Sequence, residues 1–233
     1  MRPARAPLAS VLTLFVACSG PESGPVATAS GSSATEDLSR PLPSPLPDVV
    51  ARVDGQPIRF AQIVPMARRE IEGNDEAAGE SGRNLAVRRA LERYIDRELL
   101  FQEARSRGIG ADQRALDWAY DQARTEHPDK EAWETVLAEE GLDPQSFRTE
   151  MRIQHTVSAL LEAETGGVPV GDDEARRAFD ADPSAFAPLG QPPPSFDSVR
   201  EEVKAVLGQR RLEEITNRLV EELRARARIE TFL

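Results

Sequence analysis

Apolar residues recur at helical spacing through the middle of the chain, and this periodicity restricts the possible folds more than any other feature. Val87, Leu91, Ile95 and Leu99 repeat every four residues, which is the pattern of a helix with one buried face. Comparable stripes follow along the chain, separated by Gly or Pro, while aromatic residues make up only 5% of the sequence. The sequence therefore predicts a mainly α protein.

Start signals place the beginnings of these helices. Asp143 followed by Pro144 is the strongest, because Asp suits the N-cap and Pro the first helical position. A helix is also expected at 61–72, with Pro65 near its first turn, where a missing N–H is tolerated. The last helix is predicted over 196–228, after a Pro-rich linker at 187–195. Other predicted capping residues are Asp112, Asp129, Asp172 or Asp173, and Ser195.

Two short β-prone runs at 48–60 flank the dipeptide Asp54-Gly55. This dipeptide favours a type I′ hairpin, because both turn positions require positive φ. A two-stranded hairpin is only marginally stable alone. The alternating residues at 228–233 predict a final strand that pairs with it.

An apolar run of ten residues at 8–17 precedes Cys18, the only cysteine of the chain. The run is too short for a permanent membrane span and has the length of a signal-peptide core. We expect a lipoprotein signal peptide at 1–17, lipidation of Cys18, and a disordered Pro/Ser/Gly tether over 18–47 that leads to an ordered domain at 48–233. The alternative is a conventional signal peptide with an incidental cysteine.

Catalytic constellations are scarce in the sequence. His127 and His155 lie in separate helical neighbourhoods, and neither belongs to a metal-ligand pattern. No Gly-rich phosphate loop or nucleophile motif is present. We therefore expect no catalytic residues, metal or cofactor. The formal net charge of −11 argues against a nucleic-acid partner, since phosphate binding requires a basic surface.

Six aromatic or sulfur-containing side chains are the candidate binding residues. Core packing is one interpretation, because a stripe at helical spacing normally faces inward. The other is an apolar groove that binds unfolded segments through adaptable contacts. The sequence leaves both open for Phe101, Trp118, Tyr120, Trp133, Phe147 and Met151.

Four segments together resemble the SurA-like family of periplasmic chaperones. VVARVDGQPIRFAQI resembles the family's opening hairpin, and LERYIDRELLFQEARSRGI its signature helix. LAEEGLDPQSFRTEMRIQHTVSALL is similar to a later helical segment, and the final helix and strand are similar to the family's C-terminal element. The resemblance spans about 48–233 and implies a helical chaperone body with a small hairpin paired to a C-terminal strand.

In that family a parvulin-type prolyl isomerase domain usually lies between the N-terminal helices and the C-terminal helix. Here nine residues separate Phe186 from Phe196, too few for such a domain. The resemblance therefore implies a binder of unfolded translocated or outer-membrane polypeptides rather than an enzyme.

The expected protein is an ATP-independent holdase, lipid-anchored at Cys18 and facing the periplasm. Ser19 follows the cysteine, where Asp would retain many lipoproteins in the inner membrane, so we expect the outer membrane. Two alternatives stay open. One is a prolyl isomerase-related protein with an unrecognised site, and the other is a scaffold lipoprotein with one dedicated partner.

Overall fold

The structure is a computed structural model that describes residues 41–72, 79–125, 127, 129–166, 169–187 and 192–233. The predicted signal peptide, Cys18 and most of the predicted tether lie outside the described residues, as do residues 188–191 of the predicted linker. The elements in chain order are β1 (Val49–Val53), β2 (Gln56–Arg59), α1 (Phe60–Glu72), α2 (Glu80–Ser106), α3 (Gln113–Thr125), α4 (Lys130–Glu139), α5 (Pro144–Thr165), α6 (Asp172–Ala181), a 3₁₀ turn (Pro183–Phe186), α7 (Phe196–Arg226) and β3 (Ile229–Thr231).

The three strands form one antiparallel sheet in the order β2-β1-β3. Asp54 and Gly55 have φ values of 48° and 81°, as a type I′ turn requires. Asp54 also joins the hairpin to the C-terminal segment, because its amide donates to the Arg228 carbonyl at 2.9 Å and its carboxylate accepts from the Arg228 amide at 2.8 Å. The predicted hairpin and its pairing with the C-terminal strand are confirmed.

Buried side chains of the described residues fall into three clusters. The largest, which we call the body cluster, joins the sheet, α1, α2 and the C-terminal halves of α5 and α7. Its fully buried aliphatic side chains each contribute about 1.5–3 kcal/mol. The aromatic cluster lies between α3, α4 and the N-terminal half of α5 and comprises Leu116, Tyr120, Ala123, Trp133, Leu137, Phe147 and Met151. The α6 cluster comprises Ala175, Phe179, Phe196 and Val203.

Two long helices connect these clusters. In α5, Phe147 and Met151 belong to the aromatic cluster, whereas Val157 and Leu160 belong to the body cluster. α7 likewise runs from the α6 cluster at its N-terminal end to the body cluster at Leu219 and Leu223. The body is thus continuous, through these two helices, with two smaller helical units.

Three predicted caps are confirmed by side-chain hydrogen bonds. The Asp143 carboxylate accepts from the amides of Gln145 and Ser146, each at 2.8 Å. Asp129 accepts from the amide of Ala132 at 3.3 Å, and Asp112 from that of Arg114 at 2.8 Å. These three caps could be predicted from local sequence, because donor and acceptor lie within three residues.

The structure corrects several boundaries. α1 begins at Phe60, so Pro65 lies in its second turn rather than its first. α6 is capped by Gly171 without a side-chain bond, and the predicted caps Asp172 and Asp173 occupy its first turn. There Asp172 pairs with Lys204 of α7 at 2.5 Å.

Two further boundaries are the two ends of α7. Ser195 precedes α7 as predicted but makes no side-chain capping bond to the backbone. α7 ends at Arg226, two residues before the predicted end, because the chain turns there into β3.

Candidate client-binding site

Trp133 is the centre of the aromatic cluster. Its ring meets Phe147 edge-on at 5.2 Å between centroids and Tyr120 edge-on at 6.0 Å. Both arrangements are the favourable T-shaped geometry. Trp133 and Phe147 are 2% and 1% exposed. Four of the six predicted binding residues, Tyr120, Trp133, Phe147 and Met151, therefore pack together in this interior.

Two side chains outside the aromatic cluster, Arg148 and His127, pack against its rings. The Arg148 guanidinium lies 3.6 Å from the centroid of the Tyr120 ring and 3.8 Å from the Asp117 carboxylate. Both contacts link α5 to α3: the first is a cation–π interaction and the second is an ion pair. The His127 ring stacks on Trp133 at 6.1 Å. Sequence reasoning missed both residues, since neither belongs to an apolar stripe.

Two buried polar atoms, one in the aromatic cluster and one in the ring stacked on it, have no hydrogen-bond partner among the described residues. They are Nε1 of Trp133 and Nε2 of His127. An unsatisfied buried polar atom costs about 1–3 kcal/mol. The closed aromatic cluster thus contains groups that would gain hydrogen bonds if it opened to water or to a peptide.

Trp118 lies on the opposite face of α3 from the buried positions Leu116 and Tyr120. It is 66% exposed, the largest value among the exposed large hydrophobic residues in the part of the chain that the structure describes. Its neighbours on the same face of the helix, Arg114 and Asp121, are exposed and charged. An indole with a charged rim can bind an apolar group without further rearrangement.

Phe101 lies apart from the other five candidates. It packs half-buried against the body cluster, with the Arg105 guanidinium 5.8 Å from its ring centroid. The six predicted residues therefore do not form one surface. Four of them lie in the aromatic cluster, Phe101 lies at the edge of the body cluster, and Trp118 is open to solvent. Contact with a client stays a prediction for all six.

Among the described residues, no group of three or more His, Cys, Asp and Glu side chains is arranged to hold a metal ion. Within the same residues, none of the helices combines the length and apolarity needed to cross a membrane.

The sequence matches the family described as the SurA-like N-terminal domain over residues 11–161. The match covers more than half of the chain, and the protein belongs to this family. No curated protein matches it. A solved structure from work on two structurally related SurA-like chaperones of the human pathogen Campylobacter jejuni, the virulence factor PEB4 and the periplasmic protein Cj1289, aligns with a TM-score of 0.49 and 14% identity. That alignment covers 80% of this chain and 99% of the other.

Proposed function

We propose that this protein is a periplasmic chaperone that holds unfolded polypeptides without ATP. The observation that carries the proposal is the family match over residues 11–161, a range that includes the exposed Trp118. The bound segments would be apolar stretches of translocated or outer-membrane proteins before they fold.

Trp118 is the proposed primary contact. If a client covers about 100 Å² of its exposed indole, the apolar burial contributes about 2.5 kcal/mol. A contribution of this size changes the dissociation constant by about 60-fold, so the contact adds affinity while the complex can still be released by simple dissociation. The packed residues Tyr120, Trp133, Phe147 and Met151 hold α3 in place behind the indole.

The proposed location is the periplasmic face of the outer membrane. A lipidated Cys18 would anchor the chain, and the tether at 18–47 would give the folded body a reach of roughly 30 Å, as expected for a flexible coil of this length. An acidic surface, consistent with the net charge of −11, would keep the body away from anionic headgroups.

Tryptophan fluorescence tests client binding, because the chain contains only two tryptophans. Trp133→Phe leaves Trp118 as the sole indole, and Trp118→Phe leaves the buried Trp133 as a matched control. The added client is a reduced and alkylated protein that contains no tryptophan. We expect its binding to shift the Trp118 emission to the blue and to protect the indole from quenching by acrylamide. The control emission should stay constant. Unchanged Trp118 emission at saturating client would contradict the proposal.

A further inference from the structure

A pocket of ≈ 690 Å³ lies on the body, between the β1–β2 hairpin and α2. The hairpin lines it with Gln56, Pro57 and Ile58, and α2 lines it with Tyr94, Glu98 and Gln102. The three α2 residues are spaced by four, so they lie on one face of the helix. None of these six was among the predicted binding residues, and the pocket is separate from the aromatic cluster.

Glu98 is the acid of α2 that faces this pocket, and it differs from the acids around it. The acids beside it on α2 are each paired with arginine, and the second acid that lines the pocket, Asp54, accepts from the backbone amide of Arg228. Glu98 accepts a hydrogen bond from Gln102 Nε2 at 2.9 Å, and it makes no ion pair among the residues that the structure describes. It is only half-exposed, so a cation beside it would interact more strongly than at an open surface. The paired acids are Glu92 and Asp96, both with Arg224 at 2.7 and 2.5 Å, and Glu103, with Arg107 at 2.7 Å.

The strand edge beside the pocket accepts hydrogen bonds but does not donate them. Because the turn has two residues, the backbone N–H and C=O groups of Gln56 and Ile58 point toward β1. The backbone carbonyl of Pro57, between them, therefore points away from β1. Pro57 has no N–H to offer, and the Arg59 amide is occupied by Gln62 Oε1 at 2.8 Å. A bound chain therefore cannot extend the sheet regularly, but one of its amides can donate to the Pro57 carbonyl.

The α2 side of the pocket supplies a complementary donor. Gln62 Nε2 donates to the Tyr94 hydroxyl oxygen at 2.7 Å, which leaves the hydroxyl proton to be donated in another direction. Burial raises the pKa of Tyr94 above its usual range, so the hydroxyl keeps that proton. The remaining cation at the pocket, Arg105, is exposed at the rim and turned over Phe101.

We propose that this pocket binds a basic side chain of an extended polypeptide, with Glu98 pairing with the guanidinium or ammonium group. The peptide backbone beside it is bound by the Pro57 carbonyl, the Tyr94 hydroxyl and the side-chain amides of Gln56 and Gln102. The proposal rests on the proposed function, since it takes an unfolded client as the source of the peptide. The client would then make two contacts: an apolar one at Trp118 and a polar one in the pocket, where a positive charge is selected.

Short labelled peptides test the pocket by fluorescence anisotropy with the full chain. The probes are capped Gly-Ala-Xaa-Ala-Gly peptides in which Xaa is Arg, Gln or Glu, with spermidine as a non-peptide cation. We expect the Arg peptide to bind about tenfold more tightly than the Gln peptide. Glu98→Gln should abolish this preference, whereas Glu134→Gln, which removes an exposed acid of α4, should retain it.

Equal binding of the Arg and Gln peptides by the wild-type chain would overturn the proposal, as would an undiminished preference in a folded Glu98→Gln variant. Spermidine binding as tightly as the Arg peptide would also overturn it, because the ligand would then be a small organic cation. The Trp118 emission assay reports the proposed function separately. A lost charge preference with a retained Trp118 shift rejects the pocket alone, and the reverse result rejects the proposed function alone.

Discussion

Arg224 on α7 links two acids of α2 at the side of the body cluster. Its Nη2 donates to Glu92 at 2.7 Å and its Nε to Asp96 at 2.5 Å. Burial raises the pKa of Asp96 above its usual range, while the hydrogen bond and charge of Arg224 oppose that rise. Because the folded pKa is raised, the folded state binds this proton more tightly than the unfolded state does. The Asp96 contribution to stability therefore decreases as pH rises through the range above about 3.9.

Arg224→Leu should make this pH dependence steeper. Without the guanidinium, the ionised forms of Asp96 and Glu92 lose their partner, so we expect the free energy of unfolding to fall by about 1–3 kcal/mol at pH 7. The loss should shrink as pH falls toward 4, where the Asp96 carboxyl, with its raised pKa, binds a proton. Urea unfolding at several pH values measures it.

A matched control lies on the same helix. Arg226 is 62% exposed, and its ion pair with Glu103 is long, at 3.9 Å. Arg226→Leu should therefore change the free energy of unfolding by less than about 1 kcal/mol at any pH. Equal losses for the two variants, or a loss for Arg224→Leu that does not vary with pH, would contradict this account of the network.

Prediction from sequence succeeded at the residue scale where the partners are close in the chain. The caps Asp129 and Asp143 follow from donors within three residues. The Arg224 contacts span 128 and 132 positions, and no local signal in the sequence indicates them. Trp118 and Tyr120 show a second limit. They lie two residues apart on one helix and so on opposite faces, but the helical period does not indicate which of the two faces other helices cover.

At the element scale, the pairing of β3 with β1 closes the body. The Phe232 amide donates to the Val50 carbonyl and the Asp54 amide to the Arg228 carbonyl, each at 2.9 Å. By the antiparallel alternation, Arg52 and Glu230 form the hydrogen-bonded pair between them. The sheet therefore depends on the amide of Glu230.

Glu230→Pro should break this pairing, because proline removes the amide that bonds to Arg52. We expect a loss of about 1–3 kcal/mol in unfolding free energy and faster hydrogen exchange of the β1 amides. Glu230→Ala removes the side chain but keeps the amide, so its loss should be much smaller. If Ala and Pro were equally destabilising, the Glu230 side chain rather than the ladder would be responsible.

The elements themselves were predictable because hydrophobic period and turn chemistry are local properties. The hairpin, the third strand and most helices follow from them. The division of the helices among three clusters was not predictable, because a stripe shows which face is buried but not which helix covers it. α5 and α7 illustrate this, because the apolar stripe of each helix packs into one cluster at the N-terminal end and into another at the C-terminal end.

At the scale of the whole molecule, the proposed chaperone is a body with two helical units and a membrane anchor. The proposed anchor, a lipidated Cys18, lies outside the described residues. Cys18→Ser should abolish incorporation of labelled fatty acid and move the protein from the membrane fraction to the soluble envelope fraction. Unchanged processing and membrane association would contradict lipidation, and normal processing without a membrane-bound wild-type form would favour the conventional signal peptide.

Suppression of client aggregation tests the central claim most directly. Light scattering would follow an unfolded outer-membrane β-barrel protein diluted from urea, with the full chain present at equal concentration and without ATP. The account predicts that the wild-type protein suppresses aggregation, and that Trp118→Ala needs about 5–30-fold more protein for the same effect, equivalent to about 1–2 kcal/mol of lost contact. No suppression by the wild-type protein, or equal suppression by a folded Trp118→Ala variant, would contradict it.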